Sequence, residues 1–458
     1  MDRKSLTIVA EKALHRLGLD RAVSYAFSGR VWVVLSGPVT LYLLLTRLTG
    51  AERGFYGTFQ SVVNLQIFLE LGFSYSILHF TSHEFAKLSL NAAGELEGDP
   101  DARSRVISLG RLALKWYCCL ALLFFLLVGS AGYWFLSRSD GAAVMNWVAP
   151  WWLLCAAASL NLLLLPVIAL LEGCNRVGFV NGCRTAAGVA ANVFAWIALA
   201  GGVRLFAAAL SSAAMFLTSS LLVTIYCRRF FIMFRHPAPG AQVSWWREIW
   251  PFQWKIALSA MSGYLIFSLF NPVMLRARGA VEAGRMTISL NLVNAVANAA
   301  FSWVSTKAPR YGMLINARKF AELDRLSRRS MTQGFVVCLL GGLALLPSLA
   351  LLNAWAPQYG AKFLGLDSIA ILLAGALVTQ ILFGQAVYLR SHKQEPFLGL
   401  SLVNALLTAV FLILAARAYG ARGACAAYFL VQLIILPFAT RIFFRCRRLW
   451  HQTPGVVS

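Results

Sequence analysis

Residues 28–84 read SGRVWVVLSGPVTLYLLLTRLTGAERGFYGTFQSVVNLQIFLELGFSYSILHFTSHE. An apolar run from roughly Val23 to Leu45 is interrupted by Gly37-Pro38 and carries Arg30 near its start. A polar turn, Thr46 to Gly54, follows, and a second apolar run opens at Phe55 and holds Gln60, Asn64 and Glu70. About 20 apolar residues cross a bilayer as helix, so two such runs joined by a short polar turn predict a transmembrane hairpin. Ionisable groups inside membrane-length runs are costly, which makes Arg30 and Glu70 functional candidates.

The same design continues to the end of the chain. Of 458 residues, 59% are hydrophobic and 13% charged. Apolar runs predict twelve spans, near 23–45, 55–78, 114–136, 147–171, 184–201, 205–227, 255–275, 286–305, 333–352, 367–389, 396–416 and 422–444. The expected fold class is an all-α polytopic membrane protein with about 12 transmembrane helices. The formal charge of +23 does not imply nucleic acid, because the basic residues stand in the short segments between spans. On one side of the membrane those segments hold 31 of the 41 Lys and Arg, against 10 on the other. The positive-inside rule then puts both termini in the cytoplasm. Residues 1–20 do not read as a cleaved signal peptide; they read as a surface helix or as a basic tail.

No enzyme is expected. The longest outer loop, Asn353 to Leu366, has no room for a catalytic domain. The nine Cys show no CxxC spacing, and His79 and His83 have no third His nearby, so neither metal, disulfide nor cofactor is inferred. The inner segment from Lys307 to Ser330 mixes Leu and Phe with basic residues and reads as a helix on the anionic leaflet.

The chain repeats itself. Glu52 and Gly54 recur as Glu282 and Gly284, and in the same register of 230 Asn64 falls on Asn294. Pro38 has a counterpart in Pro272, and Arg30 in Lys255. Six spans per half is an even number, so the repeat is parallel. The expected division is a cytoplasmic N-terminal segment 1–22, a six-helix bundle 23–227, a cytoplasmic linker 228–254, a second bundle 255–444 and a tail 445–458. Proline in a helix removes a backbone bond and clashes with the carbonyl four residues earlier, so Pro38 and Pro272 are hinge candidates; their other reading is the ordinary proline of membrane helices.

The eighth span carries Thr287, Asn291, Asn294, Asn298 and Ser302 in steps of three and four, one helical face. Such a face turns to protein or to a water-filled cavity. It reads either as interhelical hydrogen bonding or as a wall that binds a hydroxyl-rich substrate. Arg30, Lys255 and Lys307 lie toward the inner half of their spans. Arg30 and Lys255 read as inner-leaflet anchors or as a clamp on phosphate. Glu70 reads as a structural partner of Arg30 or as a site for a coupling proton or cation.

At these residues the chain resembles a known family. Arg47-Leu-Thr-Gly-Ala-Glu-Arg-Gly-Phe-Tyr56, Glu70-Leu-Gly-Phe73, Leu171-Glu-Gly173, Pro251-Phe-Gln-Trp-Lys-Ile-Ala257 and Thr306-Lys-Ala-Pro309 are similar to stretches of the polysaccharide flippases. These are the Wzx-type O-antigen and capsule exporters of the multidrug/oligosaccharidyl-lipid/polysaccharide superfamily. The family typically has Asp where Glu70 stands. The resemblance implies two pseudo-symmetric six-helix bundles around a central cavity, working by alternating access. It implies a polyprenyl-pyrophosphate-linked oligosaccharide moved from the inner to the outer leaflet of a bacterial inner membrane. The implied partners are that lipid-linked oligosaccharide, membrane lipids, and polysaccharide polymerase and export proteins. The substrate-binding candidates are then Arg30, Lys255, Lys307, Asn64, Asn291, Asn294 and Asn298, with Glu70 for coupling. A cation-coupled multidrug antiporter of the same superfamily, and a membrane polysaccharide polymerase or ligase, remain as alternatives.

Overall fold

The computed structural model describes residues 21–452 apart from 92–94, 140, 236–239 and 393, so the reading of residues 1–20 lies outside it. Helices stand where the apolar runs stand. They are α1 (Arg21–Arg47), α2 (Gly50–Val63), α3 (Gln66–Glu70), α4 (Phe73–Phe85), α5 (Pro100–Leu123), α6 (Gly129–Ser137), α7 (Val148–Gly173), α8 (Val177–Ala200) and α9 (Phe206–Ile232). There follow α10 (Trp250–Phe267), α11 (Phe270–Arg278), α12 (Ala280–Ser305), α13 (Ala308–Asn316), α14 (Phe320–Trp355), α15 (Pro357–Gly360), α16 (Leu366–Arg390) and α17 (Leu398–Gln452). One small antiparallel hairpin, β1 (Leu88–Leu90) with β2 (Leu96–Gly98), precedes α5. α17 is interrupted at Gly420, whose φ of 66° and ψ of −146° separate its two halves. Each of the twelve expected spans coincides with a helix, a bent pair of helices, or a half of α17. Among the described residues seven helices are long and apolar enough to cross a membrane, or nine when each bent pair counts as one span. The chain is a multi-pass, all-α membrane protein.

Two compact units emerge. One comprises 1–47, 65–135 and 146–257, the other 48–64, 136–145 and 258–458. The second unit thus takes α2 and residues 136–145 from the first half of the sequence, which the expected bundle 23–227 does not anticipate.

In the first unit α8 packs on α1 and α9, and α7 on α4, α5 and α9. Phe73, Ile77, Tyr117, Leu170 and Phe230 fill the centre. Small residues bring the helices close, as the sequence suggests: Ala187, Ala191 and Ala195 of α8 are buried. Gly132 lies under the ring of Trp151, whose Nε1 donates to the Gly129 carbonyl at 2.9 Å. The segment that leads into α10 is tied down here. Arg105 on α5 bridges Glu84 at 2.8 Å and Glu248 at 2.5 Å, and the Val243 amide donates to the Ser108 hydroxyl at 3.1 Å.

In the second unit α12 runs against α2, α14 and α16, and α16 packs on α17. Val304, Tyr311, Leu323, Tyr388 and Phe443 form its core at one end. Buried polar groups are paired across helices: Asn404 and Gln432 exchange hydrogen bonds of 3.1 and 3.2 Å. The segment Lys307–Ser330, expected as one surface helix, is two elements here. α13 ends near Arg318, which has φ 54°, and the basic residues beyond it open the 36-residue α14.

Candidate functional site

The sequence repeat is realised as a helix pair inside the second unit. α2 and α12 run parallel in the register of 230. A Cβ added at Gly54 would stand 2.9 Å from the Ala280 carbonyl carbon and 3.1 Å from the Gly284 amide nitrogen. A Cβ added at Gly284 would stand 3.1 Å from the Gly54 amide nitrogen. One turn on, Gly57 leaves the space that the Thr287 side chain occupies. Glycine is required because the two backbones touch. α10 and α11 hold α2 as well: Tyr264 donates its hydroxyl to the Ser61 carbonyl at 3.1 Å, and Asn271 donates to the Gly57 carbonyl at 3.3 Å.

Ten residues beyond the paired glycines, roughly 15 Å at 1.5 Å per residue, the helices present amides. Gln60 and Asn64 of α2 are exposed, as are Asn291, Asn294 and Asn298 of α12. Thr287, placed on the same stripe by the sequence, is buried and donates to the Ala283 carbonyl at 2.9 Å. The stripe therefore divides. Its first member packs against α2, and its asparagines are uncovered. An amide facing hydrocarbon leaves strong donors and acceptors unsatisfied, so a row of uncovered asparagines belongs to a wet wall.

Five residues past Asn298 on α12, Trp303 joins the lining of a cavity of about 1010 Å³ built chiefly by α14. Its charged residues are Asp324, Arg325, Arg328, Arg329 and Arg447, with Thr332 and Gln333 further along α14. Asp324 is spent. It accepts from Arg447 at 2.5 Å and from the Tyr388 hydroxyl at 2.8 Å, with His451 at 3.8 Å. Arg325, Arg328 and Arg329 are exposed, and none of the three has an ion pair among the described residues. Three guanidinium groups lining one cavity, without an ion pair among the described residues, suit an anion, since the planar fork of Arg matches phosphate oxygens.

The other expected residues fall as follows. Arg30 lies in α1 and Lys255 in α10, and their side chains fall outside what the structure describes. Lys307 is exposed at the start of α13 and does not line the cavity. Glu70 accepts from the Ser74 hydroxyl, from the Ser74 amide at 3.4 Å and from the Tyr117 hydroxyl at 3.1 Å; the Arg30 side chain that the sequence offers as its partner lies outside the described residues. The prolines differ from each other. α1 runs unbroken through an exposed Pro38. The chain bends by 40° between α10 and α11, at Ser268-Leu269, just ahead of Pro272. The break in the first half of the sequence stands at Leu71 (φ 52°) and Gly72 (φ 65°), both left-handed. Proline in a long helix need not break it when neighbours re-satisfy the freed carbonyl, and two successive left-handed residues always do.

No protein-family model matches this chain. No curated protein matches it in sequence. Solved structures match it over nearly the whole length. An inward-facing multidrug resistance MATE family transporter of the MOP superfamily superposes with a TM-score of 0.66 at 13% identity, covering 92% of this chain and 96% of that one. The fold is that of the MOP-superfamily transporters. A MOP-superfamily transporter from Pyrococcus furiosus follows at 0.59 and 15% identity, with 96% and 97% covered. The lipid II flippase MurJ in an inward closed conformation gives 0.61 at 10% identity, with 92% and 90% covered. The likeness spans both multidrug transporters and a lipid flippase, so it assigns the architecture and leaves the cargo to the residues.

Within that architecture, sequence reading found the asparagine row but passed over the cavity arginines. Their signal was present as the i, i+3, i+4 spacing of Arg325, Arg328 and Arg329, but it was read as leaflet attachment. Gln60 completes the α2 face in the same way: it stands four residues before Asn64.

Proposed function

We propose that this MOP-fold transporter moves a lipid-linked oligosaccharide with a phosphate-bearing head, of the polyprenyl-pyrophosphate class, from the inner to the outer leaflet of a bacterial inner membrane. The observation that carries the reading is three arginines on a cavity of about 1010 Å³, without an ion pair among the described residues, together with exposed asparagines on α12, the helix that gives the cavity Trp303. Guanidinium groups suit a pyrophosphate, amides suit sugar hydroxyls, and Trp303 offers a flat apolar face to a sugar ring. The excess of basic residues in one set of loops favours the same orientation as the expected one, with both termini cytoplasmic, and the cavity arginines belong to that set. An inside-negative potential favours outward movement of an anion by about 2.3 kcal/mol per charge per 100 mV, if the charge crosses the whole field.

A second reading, the cation-coupled antiporter, is favoured by Glu70. This carboxylate lies at a helix break in a membrane-length apolar run, as a coupling site would. Reconstitution separates the two. The protein is placed in liposomes carrying a polyprenyl-pyrophosphate oligosaccharide in one leaflet, and its accessibility from the other side is followed with and without a membrane potential. Protein-dependent crossing that is lost in Asn291→Ala/Asn294→Ala/Asn298→Ala supports the flippase. Absence of crossing, together with proton- or sodium-driven drug uptake that Glu70→Gln abolishes, supports the antiporter.

A further inference from the structure

Two residues of the α14 cavity wall, Asp324 and Arg447, belong to a titratable network that closes on His451 near the end of α17. Asp324 Oδ2 accepts from Arg447 Nε at 2.9 Å and from its Nη2 at 2.5 Å. Asp324 Oδ1 accepts from the Tyr388 hydroxyl at 2.8 Å. The same hydroxyl lies 3.0 Å from His451 Nε2, and His451 Nδ1 lies 3.8 Å from Asp324 Oδ2. Phe320, at the start of α14, stacks on the imidazole with ring centres 4.6 Å apart and fixes its plane.

The donors set the tautomer. Tyr388 has one hydroxyl hydrogen and gives it to Asp324, so toward His451 its oxygen can only accept. Nε2 therefore carries the hydrogen of the neutral ring, and Nδ1 turns a lone pair toward the carboxylate. A lone pair facing a carboxylate oxygen is the place for a second proton. Oδ2 is already full: a carboxylate oxygen offers about two lone pairs, and Arg447 fills both. A proton on Nδ1 must displace one of the Arg447 N–H groups.

We propose that His451 is a proton site coupled to anion binding in the α14 cavity: a proton taken from solvent onto Nδ1 loosens Arg447 from Asp324 and leaves its guanidinium to the anion. This rests on reading the cavity as an anion site. The proton also offsets the negative charge of Asp324 on the cavity wall. The groups that face the ring are Asp324 from α14, Tyr388 from α16 and Arg447 from α17 itself. His392 stands four residues past Tyr388, its Nδ1 3.1 Å from the Tyr388 carbonyl oxygen and its ring centre 4.4 Å from that of Trp450. Its charge, when protonated, opposes a proton on His451. Burial lowers the proton affinity of His451, Asp324 raises it and Arg447 lowers it; an anion on Arg447 offsets the last effect. Coupling is reciprocal, so the anion raises the proton affinity of His451 by the factor by which the proton raises the affinity for the anion.

Sulfate is the probe, because it stays a dianion across the range tested. Its affinity for the full-length protein, purified in detergent without a polyhistidine tag, is measured by calorimetry between about pH 5.5 and about pH 8. The Kd is expected to be about tenfold lower at the acid end. His451→Gln is expected to remove that dependence and to hold the Kd near its alkaline value, whereas His392→Gln keeps it. In the unaltered protein, isotope-labelled at its histidine nitrogens and followed by NMR, saturating sulfate is expected to raise the titration midpoint of His451 by about one pH unit, the same tenfold factor. A Kd that does not change with pH, a dependence that survives His451→Gln, or a midpoint unmoved by sulfate overturns the coupling and leaves the cavity an anion site. No sulfate binding at any pH, or binding that Arg328→Ala/Arg329→Ala leaves unchanged, overturns the anion cavity and the coupling with it.

Discussion

Gly284→Ala places a methyl group where the backbone of α2 already lies. The added Cβ would sit 3.1 Å from the Gly54 amide nitrogen and closer still to the Gly50 carbonyl oxygen. Carbon atoms rest about 3.5–4.0 Å from their neighbours, so α2 and α12 must part by about an ångström or more. A gap of about an ångström forfeits about half of each dispersion contact across the seam. Overpacking of this kind costs about 1–3 kcal/mol, against which alanine recovers about 0.5–1 kcal/mol of helix preference. The expected net destabilisation is about 1–2 kcal/mol. Gly188→Ala in α8 is the matched control, since a Cβ there meets nothing within 4 Å. It is expected to stabilise by about 0.5–1 kcal/mol through helix preference alone. The assay is unfolding by sodium dodecyl sulfate in mixed micelles, followed by tryptophan fluorescence. Gly54→Ala should match Gly284→Ala, and the double variant should cost less than the sum, because one separation relieves both clashes. A Gly284→Ala protein that unfolds at the same detergent fraction as Gly188→Ala would refute the close pairing of the repeat helices.

Three further outcomes follow from the same geometry. Arg328→Ala/Arg329→Ala should weaken binding of pyrophosphate to the purified protein by at least about tenfold, roughly 1.4 kcal/mol, and flatten its salt dependence, checked by calorimetry at two ionic strengths. Arg105→Met leaves Glu84 and Glu248 facing each other without their shared cation; with all three side chains partly exposed the expected cost is about 1–3 kcal/mol in the same unfolding assay. Burial pushes both His392 and His451 below the usual imidazole range. Below about pH 6.5 the unfolded chain then binds protons that the folded chain refuses, so stability falls as pH drops through the ordinary histidine value toward the lowered one. Unfolding compared at about pH 7.5 and about pH 5.5 should show that loss, and His392→Gln/His451→Gln should reduce it.

Much of the architecture was legible because hydrophobic length is a local property. A run of twenty apolar residues has one way to satisfy its backbone in lipid, and so the helix positions could be read from composition alone. The repeat was legible for a related reason: Glu52-x-Gly54 and Glu282-x-Gly284 kept their residues and their spacing. Even the asparagine row was visible, as a step of three and four along α12.

What the sequence could not say is which repeated element meets which. Gly54 and Gly284 matched as letters, but that they touch, and that α2 therefore joins the second unit, depends on contacts between residues 230 apart. Pro38 looked like a hinge and the Leu71-Gly72 turn did not, because a proline's effect on a helix depends on what surrounds the freed carbonyl, and a left-handed φ at leucine is imposed by neighbours. The α14 arginines read as leaflet anchors until α17 brought Arg447 to Asp324 and left Arg325, Arg328 and Arg329 without a counter-charge. Periodicity and length are written into the chain residue by residue. The pairing of charges and the approach of backbones are decided by distance in space, and only the tertiary structure supplies it.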